Sequence, residues 1–133
     1  MRICIIIANY YPDISKELLI GACKILKNKG IKKYKILYAP GIFEIPVIIS
    51  KNIKKFDAFI ALGCVIKGQT PHFNFISKAA TEGIMHLSVK YRKPIGNGII
   101  TCLNKNQALK RSDSLKKDKG GEAAKAVLSV LGC

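Results

Sequence analysis

Two stretches of the chain are apolar almost without a break: RICIIIA at 2–8 and DAFIALGCVI at 57–66. Continuous runs of this length, rich in β-branched residues, predict strands buried on both faces. KILYA (35–39) and IGNGIIT (95–101) are shorter runs of the same kind. Between them the period changes. Leu18, Leu19, Ala22, Ile25 and Leu26 form one stripe at helical spacing, which predicts a helix capped by Asp13 or Ser15 and running to about Lys29. Gly30 then suits the residue after its end. A second helix is expected from about Ile45 to Lys54, with Pro46 in its first turn. Phe73, Ile76, Ala79, Ala80, Gly83, Ile84 and Leu87 mark a third, after His72. Asn104 with Gln107 resembles a capping box and opens a fourth, to about Arg111. The polar stretch 112–121 reads as a loop, and EAAKAVLSVL (122–131) as the closing helix.

Strands alternating with helices, the strands continuously apolar, imply a parallel sheet covered on both faces. With right-handed crossovers this predicts an α/β, flavodoxin-like three-layer sandwich with a four-stranded parallel sheet. Residues 1–133 carry no repeat, linker or break in composition, and read as a single domain. In such folds ligands bind beyond the carboxyl ends of the strands. Three loops therefore become candidates: ANYYPD after strand one, PGIFEI after strand two and KGQTPH after strand three.

Composition changes this picture little. No apolar stretch reaches the roughly 20 residues of a membrane span. Met1 runs directly into Arg2 and CIIIA, without a signal-peptide pattern, so a soluble, cytoplasmic protein is expected. The five cysteines are odd in number and lack metal-ligand spacing, which fits reduced thiols and argues against zinc. The net charge of +15 raises nucleic acid as a partner. Lysine, however, outnumbers arginine 20 to 3 and is spread along the chain, and isoleucine is equally inflated at 21. AT-rich codon usage accounts for both, and no specific nucleic-acid partner is expected.

In GCVIKGQTPHF (63–73), Gly68 and Thr70 lie at a helix start, where unpaired N–H groups and the helix dipole attract an anion such as phosphate. The spacing of a Walker loop is absent. An ordinary strand-to-helix turn explains the segment equally well. His72 can exchange protons near neutral pH, or simply cap its own helix. His86, mid-helix, reads as a surface or packing residue. Glu44 in GIFEIP either complements a helix dipole or accepts hydrogen bonds from a polyol or amine. The chain has no nucleophile set with a matching acid and no paired carboxylates.

Taken together, PGIFEIP (40–46), GCVIKGQTPHF (63–73) and Arg111 with Lys119-Gly120 occur in an order and spacing that resemble the 6,7-dimethyl-8-ribityllumazine synthase family over nearly the whole chain. The resemblance implies condensation of 5-amino-6-ribitylaminouracil with 3,4-dihydroxy-2-butanone 4-phosphate. An imine forms, phosphate leaves, and the ring closes with loss of water, all without metal or organic cofactor. It further implies a homopentamer whose active sites are shared between neighbouring subunits, and it leaves a larger shell open. By position, His72 matches the family's proton-transfer histidine. Gln69, Thr70 and Arg111 match its phosphate-binding residues. Cys64, Val65 and Ile66 match the pyrimidine lining, and Ile42, Phe43 and Glu44 the segment that meets the ribityl chain and ring. Tyr10 matches an aromatic that stacks on the pyrimidine, and Lys119 a lysine from the neighbouring subunit.

Three departures stand out. Asn97 occupies the place of an aromatic from the adjacent subunit, Lys67 that of a common arginine, and Asn74 that of a common acid. Three other readings compete: riboflavin synthase of the archaeal type, which would need no phosphate clamp; an inactive structural homologue; and a basic nucleic-acid-binding module.

Overall fold

The computed structural model describes residues 1–68 and 73–133. Strands β1 (Ile3–Ala8), β2 (Tyr34–Ala39), β3 (Ala58–Ile66) and β4 (Ile95–Cys102) form one parallel sheet in the order β2-β1-β3-β4. Every residue of β1 and β3 is buried, as their unbroken apolar runs require. The helices are α1 (Pro12–Asn28), α2 (Ile45–Asn52), α3 (Phe73–Tyr91), α4 (Lys105–Ser112) and α5 (Lys119–Leu131). Alternation along β1 divides the core in two. Ile3, Ile5 and Ile7 join α1, α4 and α5 on one face; Cys4, Ile6 and Ala8 join α2 and α3 on the other. This is the expected α/β three-layer sandwich.

Strand order reverses between β1 and β3. The loops that leave these two strands flank the crevice where open α/β sheets place their ligands. No described helix is long and apolar enough to cross a membrane. All five cysteines are free thiols; Cys4, Cys64 and Cys102 are buried, Cys23 is half-buried and Cys133 is exposed.

Local details correct several sequence expectations. Neither Asp13 nor Ser15 caps α1: both lie inside it, and the cap is Tyr11. Ser15 is buried and donates its hydroxyl to the Ala8 carbonyl at 2.8 Å, tying the helix start to the end of β1. Helix α2 stops at Asn52 rather than Lys54, and a 3-10 turn over Ile42–Glu44 precedes it. The capping box at α4 is present in modified form. Asn104 accepts from the Gln107 amide at 2.8 Å, but Gln107 reaches back one residue further, to the Leu103 amide at 2.9 Å. Gly30 does follow the end of α1, with a φ of +77°.

The largest correction concerns α5, which begins at Lys119, three residues earlier than its alanine-rich pattern indicates. Two glycines at a helix start look like a loop in sequence, because glycine weakens a helix. Here contact demands them. A Cβ on Gly120 would lie 2.0 Å from the Leu18 carbonyl oxygen of α1. A Cβ on Gly121 would lie 2.1 Å from the Asp118 carboxylate, and one on Gly21 of α1 would lie 2.2 Å from it. Asp118 fills this junction and caps α5 through the Gly121 amide at 3.1 Å. It adopts a left-handed conformation (φ +46°), which aspartate tolerates better than most residues.

Gly120→Ala is therefore expected to destabilise the protein by about 1–3 kcal/mol, the usual cost of overpacking. Urea unfolding measures this. An unchanged midpoint would show that α5 is free to move off α1.

Candidate functional site

Two groups of expected site residues emerge from different parts of the fold. The first surrounds the carboxyl ends of β1, β2 and β3. Tyr10 follows β1; its ring is 63% exposed and meets Tyr11 edge-on, with centroids 4.9 Å apart. Gly63 has no Cβ, and one there would lie 2.3 Å from the Ile42 side chain. That space lets Ile42 bury itself against β3. With Ile42 anchored, the adjoining Phe43 is left 63% exposed, the reverse of what an aromatic normally does. Glu44 is half-buried and heads α2, where its charge complements the unpaired amides of the first turn.

Cys64, Val65 and Ile66 end β3, and all three side chains are buried. Cys64 and Ile66 face the α1 side and Val65 the α3 side. Gln69, Thr70 and His72 lie outside the described residues. The described chain reaches the loop at Lys67 and Gly68, both exposed, Gly68 with a φ of +82°, and resumes at Phe73 as α3 begins.

The second group lines a groove of about 710 Å³ along the free edge of β4. Asn97, Thr101, Arg111, Lys117, Lys119 and Glu122 contribute its polar side chains. Tyr10, Ile42, Phe43 and Glu44 are not part of it. The groove exists because α5 lies close to β4. A Cβ on Gly96 would be 2.5 Å from the Ala123 carbonyl oxygen, and one on Gly98 would be 3.2 Å from the Ala123 side chain. Asn97, between these glycines, is exposed. Its side-chain oxygen accepts from the Ile99 amide at 3.1 Å, so it satisfies part of the strand edge.

Arg111 lies in the last turn of α4, and Nη1 donates to the Thr101 carbonyl at 2.8 Å. That bond fixes one corner of the guanidinium above the end of β4. Lys119 Nζ is 3.0 Å from Glu122 Oε2. Both groups are partly exposed, so the pair contributes little to stability and leaves the ammonium available to an anion. At the other end of α4, Lys105 pairs with Asp13 at 3.2 Å, and its hydrogen bond holds the Asp13 carboxyl below the usual carboxylate range.

Sequence reasoning missed a thiol pair beside Arg111. Cys64 and Cys102 share a hydrogen bond on neighbouring strands, and Cys102 Sγ is 3.9 Å from Arg111 Nη1. The hydrogen bond from Cys64 and the Arg111 charge bring the Cys102 thiol down to about 7, against the opposing effect of burial. Cys64 keeps the proton and is pushed up. Only β3–β4 register reveals the pair: Ile66 is opposite Cys102 and Cys64 opposite Ile100, so the two thiols share a face two residues apart.

The model of the 6,7-dimethyl-8-ribityllumazine synthase family matches residues 1–133. The chain is 40% identical over 132 residues to the 6,7-dimethyl-8-ribityllumazine synthase of Arthrobacter sp. (strain FB24), covering 98% of this chain and 82% of the relative. The protein of the same name from Nitrobacter hamburgensis is 40% identical over 137 residues, at 98% and 83% coverage. That from Cutibacterium acnes is 38% identical over 133 residues, at 98% and 80%.

Thiolate absorbance, read as the difference between the protein and its Cys102→Ser variant, is expected to titrate with a midpoint near pH 7. Cys64→Ala should move that midpoint up. A midpoint near the ordinary 9.0 would contradict the Cys64–Cys102–Arg111 arrangement.

Proposed function

The chain belongs to the 6,7-dimethyl-8-ribityllumazine synthase family, and from that premise we infer that it condenses 5-amino-6-ribitylaminouracil with 3,4-dihydroxy-2-butanone 4-phosphate in riboflavin biosynthesis. The product is 6,7-dimethyl-8-ribityllumazine, with release of phosphate and two waters. One observation supports this reading beyond membership: Asn97, Arg111 and Lys119 share a groove that excludes Tyr10, Phe43 and Glu44. A site shared between subunits needs two such half-sites on each chain, facing different neighbours. We therefore read the protein as a single-domain subunit, residues 1–133, of a cytoplasmic homopentamer. The groove along the free edge of β4 meets the β1–β3 loops of the next copy.

In this reading Tyr10 and Phe43 cover the pyrimidine and Glu44 accepts hydrogen bonds from ribityl hydroxyls. Arg111, joined by Gln69 and Thr70, holds the phosphate, and Lys119 adds a second positive charge. Cys64, Val65 and Ile66 form the wall on which the ring rests. Asn97 takes the aromatic's place with an amide that already bonds the strand edge.

The amine of the pyrimidine attacks the ketone, and water leaves as the imine forms. His72 carries a proton between the reacting atoms as phosphate is eliminated and the ring closes with loss of a second water. Orientation of two bound substrates supplies the largest share of the acceleration, roughly 7–11 kcal/mol at best. A single proton shuttle adds on the order of 10²–10⁴-fold.

The test is lumazine formation, followed by absorbance against a control without enzyme. His72→Ala should lower kcat by about 10²-fold or more while leaving turnover detectable. Arg111→Ala should raise KM for the phosphate substrate and leave KM for the pyrimidine nearly unchanged. Equal losses for both substrates would contradict the phosphate role, and no rate above the control would overturn the assignment.

A further inference from the structure

Seven of the twenty lysines, far apart in sequence, gather at one place in the fold. Loops entering the strands gather at the amino-terminal end of the sheet, opposite the crevice. Lys29, Lys32 and Lys33 lie between α1 and β2, Lys54 and Lys55 between α2 and β3, and Lys90 and Arg92 at the approach to β4. Arg2 precedes β1. All eight side chains are exposed. Lys93 joins the same end but turns inward, onto the Ile53 carbonyl.

Against these cations the loops of this end carry one acid, Asp57, whose carboxylate is occupied by the Arg2 amide at 2.6 Å. The other end mixes the signs: Asp13, Glu44, Asp113, Asp118 and Glu122 lie there beside Lys67, Lys105, Arg111, Lys116, Lys117 and Lys119. Biased codon usage would raise lysine everywhere; it would not leave one end almost without acids. Helix dipoles favour this polarity, but each helix end amounts to only about half a charge. The helices α1, α2, α3 and α5 that end here thus account for a small part of eight exposed cations.

We propose that the amino-terminal end of the sheet is a docking surface for the phosphodiester backbone of a nucleic acid, engaged without regard to sequence. Four adjacent strands at about 4.8 Å spacing set the cationic loops in a row about 14 Å across, the scale of a few consecutive phosphates. Lysine supplies point charges rather than the bidentate fork that reads bases. The aromatics of this end, Tyr34, Phe56 and Tyr91, are half-buried against the core and do not offer a stacking platform. The partner is therefore a backbone, RNA or DNA, rather than splayed bases. The exposed apolar side chains of this end, Met1, Val89 and Val130, are few beside its eight exposed cations.

The full-length protein would be titrated into fluorescent duplex RNA and duplex DNA, read by anisotropy at low and moderate salt. Four phosphate contacts predict an affinity that falls about 100-fold between 50 and 200 mM salt. Two variants separate a built surface from bulk charge. Lys32, Lys33, Lys54 and Lys55 are changed to Ser in one; Lys16, Lys78, Lys110 and Lys116 in the other. Each removes four charges from +15. The first should lose at least tenfold in affinity and the second less than threefold, both with unchanged circular dichroism. Equal losses would overturn the proposal, as would no binding by the unaltered protein. Co-sedimentation with phosphatidylserine vesicles in preference to either duplex would assign the surface to a membrane instead and overturn the choice of partner.

Discussion

Helix α5 lies against α1 and β4 with no room for a side chain at Gly96, Gly98 or Gly120, and the candidate site depends on that approach. Asp118, wedged between Gly21 and Gly121, starts the helix at Lys119 rather than later. Lys119 is thereby brought to the groove that Arg111 and Asn97 already line. A bulkier residue at Gly96 or Gly120 would lift α5 and open the groove. The packing of small residues, an energetic matter, thus sets the placement of charge, a chemical one.

Much of the architecture was legible because the strands are buried on both faces and so leave unbroken apolar runs. The start of α5 was not, because Gly120 and Gly121 carry a loop signature whose true cause is a contact with Leu18, a hundred residues earlier in the chain. The α1 cap was misread for a similar reason. Ser15 has the chemistry of a cap but spends its hydroxyl on Ala8, a tertiary partner that local sequence does not reveal. The PGIFEIP motif singled out Phe43 and Glu44 as candidates. That Ile42 anchors them through the space above Gly63 was not legible. Cys102 was invisible for a different reason: its environment consists of Cys64 across the sheet and Arg111 from α4, residues that only strand register brings together.

The two ends of the sheet divide the labour electrostatically. Helix starts and most of the acids gather at the carboxyl end, where the signs are mixed and several cations have partners: Arg111 at the Thr101 carbonyl, Lys119 at Glu122, Lys105 at Asp13. A clamp for one phosphate needs few charges, well oriented. At the amino end the cations are numerous, exposed and mostly untethered, which suits a long, regularly charged partner and not a small substrate. The same residue type therefore carries different meaning at the two ends, and only the fold separates them.

Subunit complementation tests the central claim, that each site joins the β1–β3 loops of one chain to the β4 groove of another. His72→Ala and Arg111→Ala proteins would be dissociated, mixed, reassembled and assayed for lumazine formation beside each parent alone. If the site is shared, some sites in the mixed oligomers carry both unaltered halves, and the rate must exceed the mean of the two parents. A rate equal to that mean, from oligomers shown to contain both chains, would place His72 and Arg111 in one subunit's site and contradict the account.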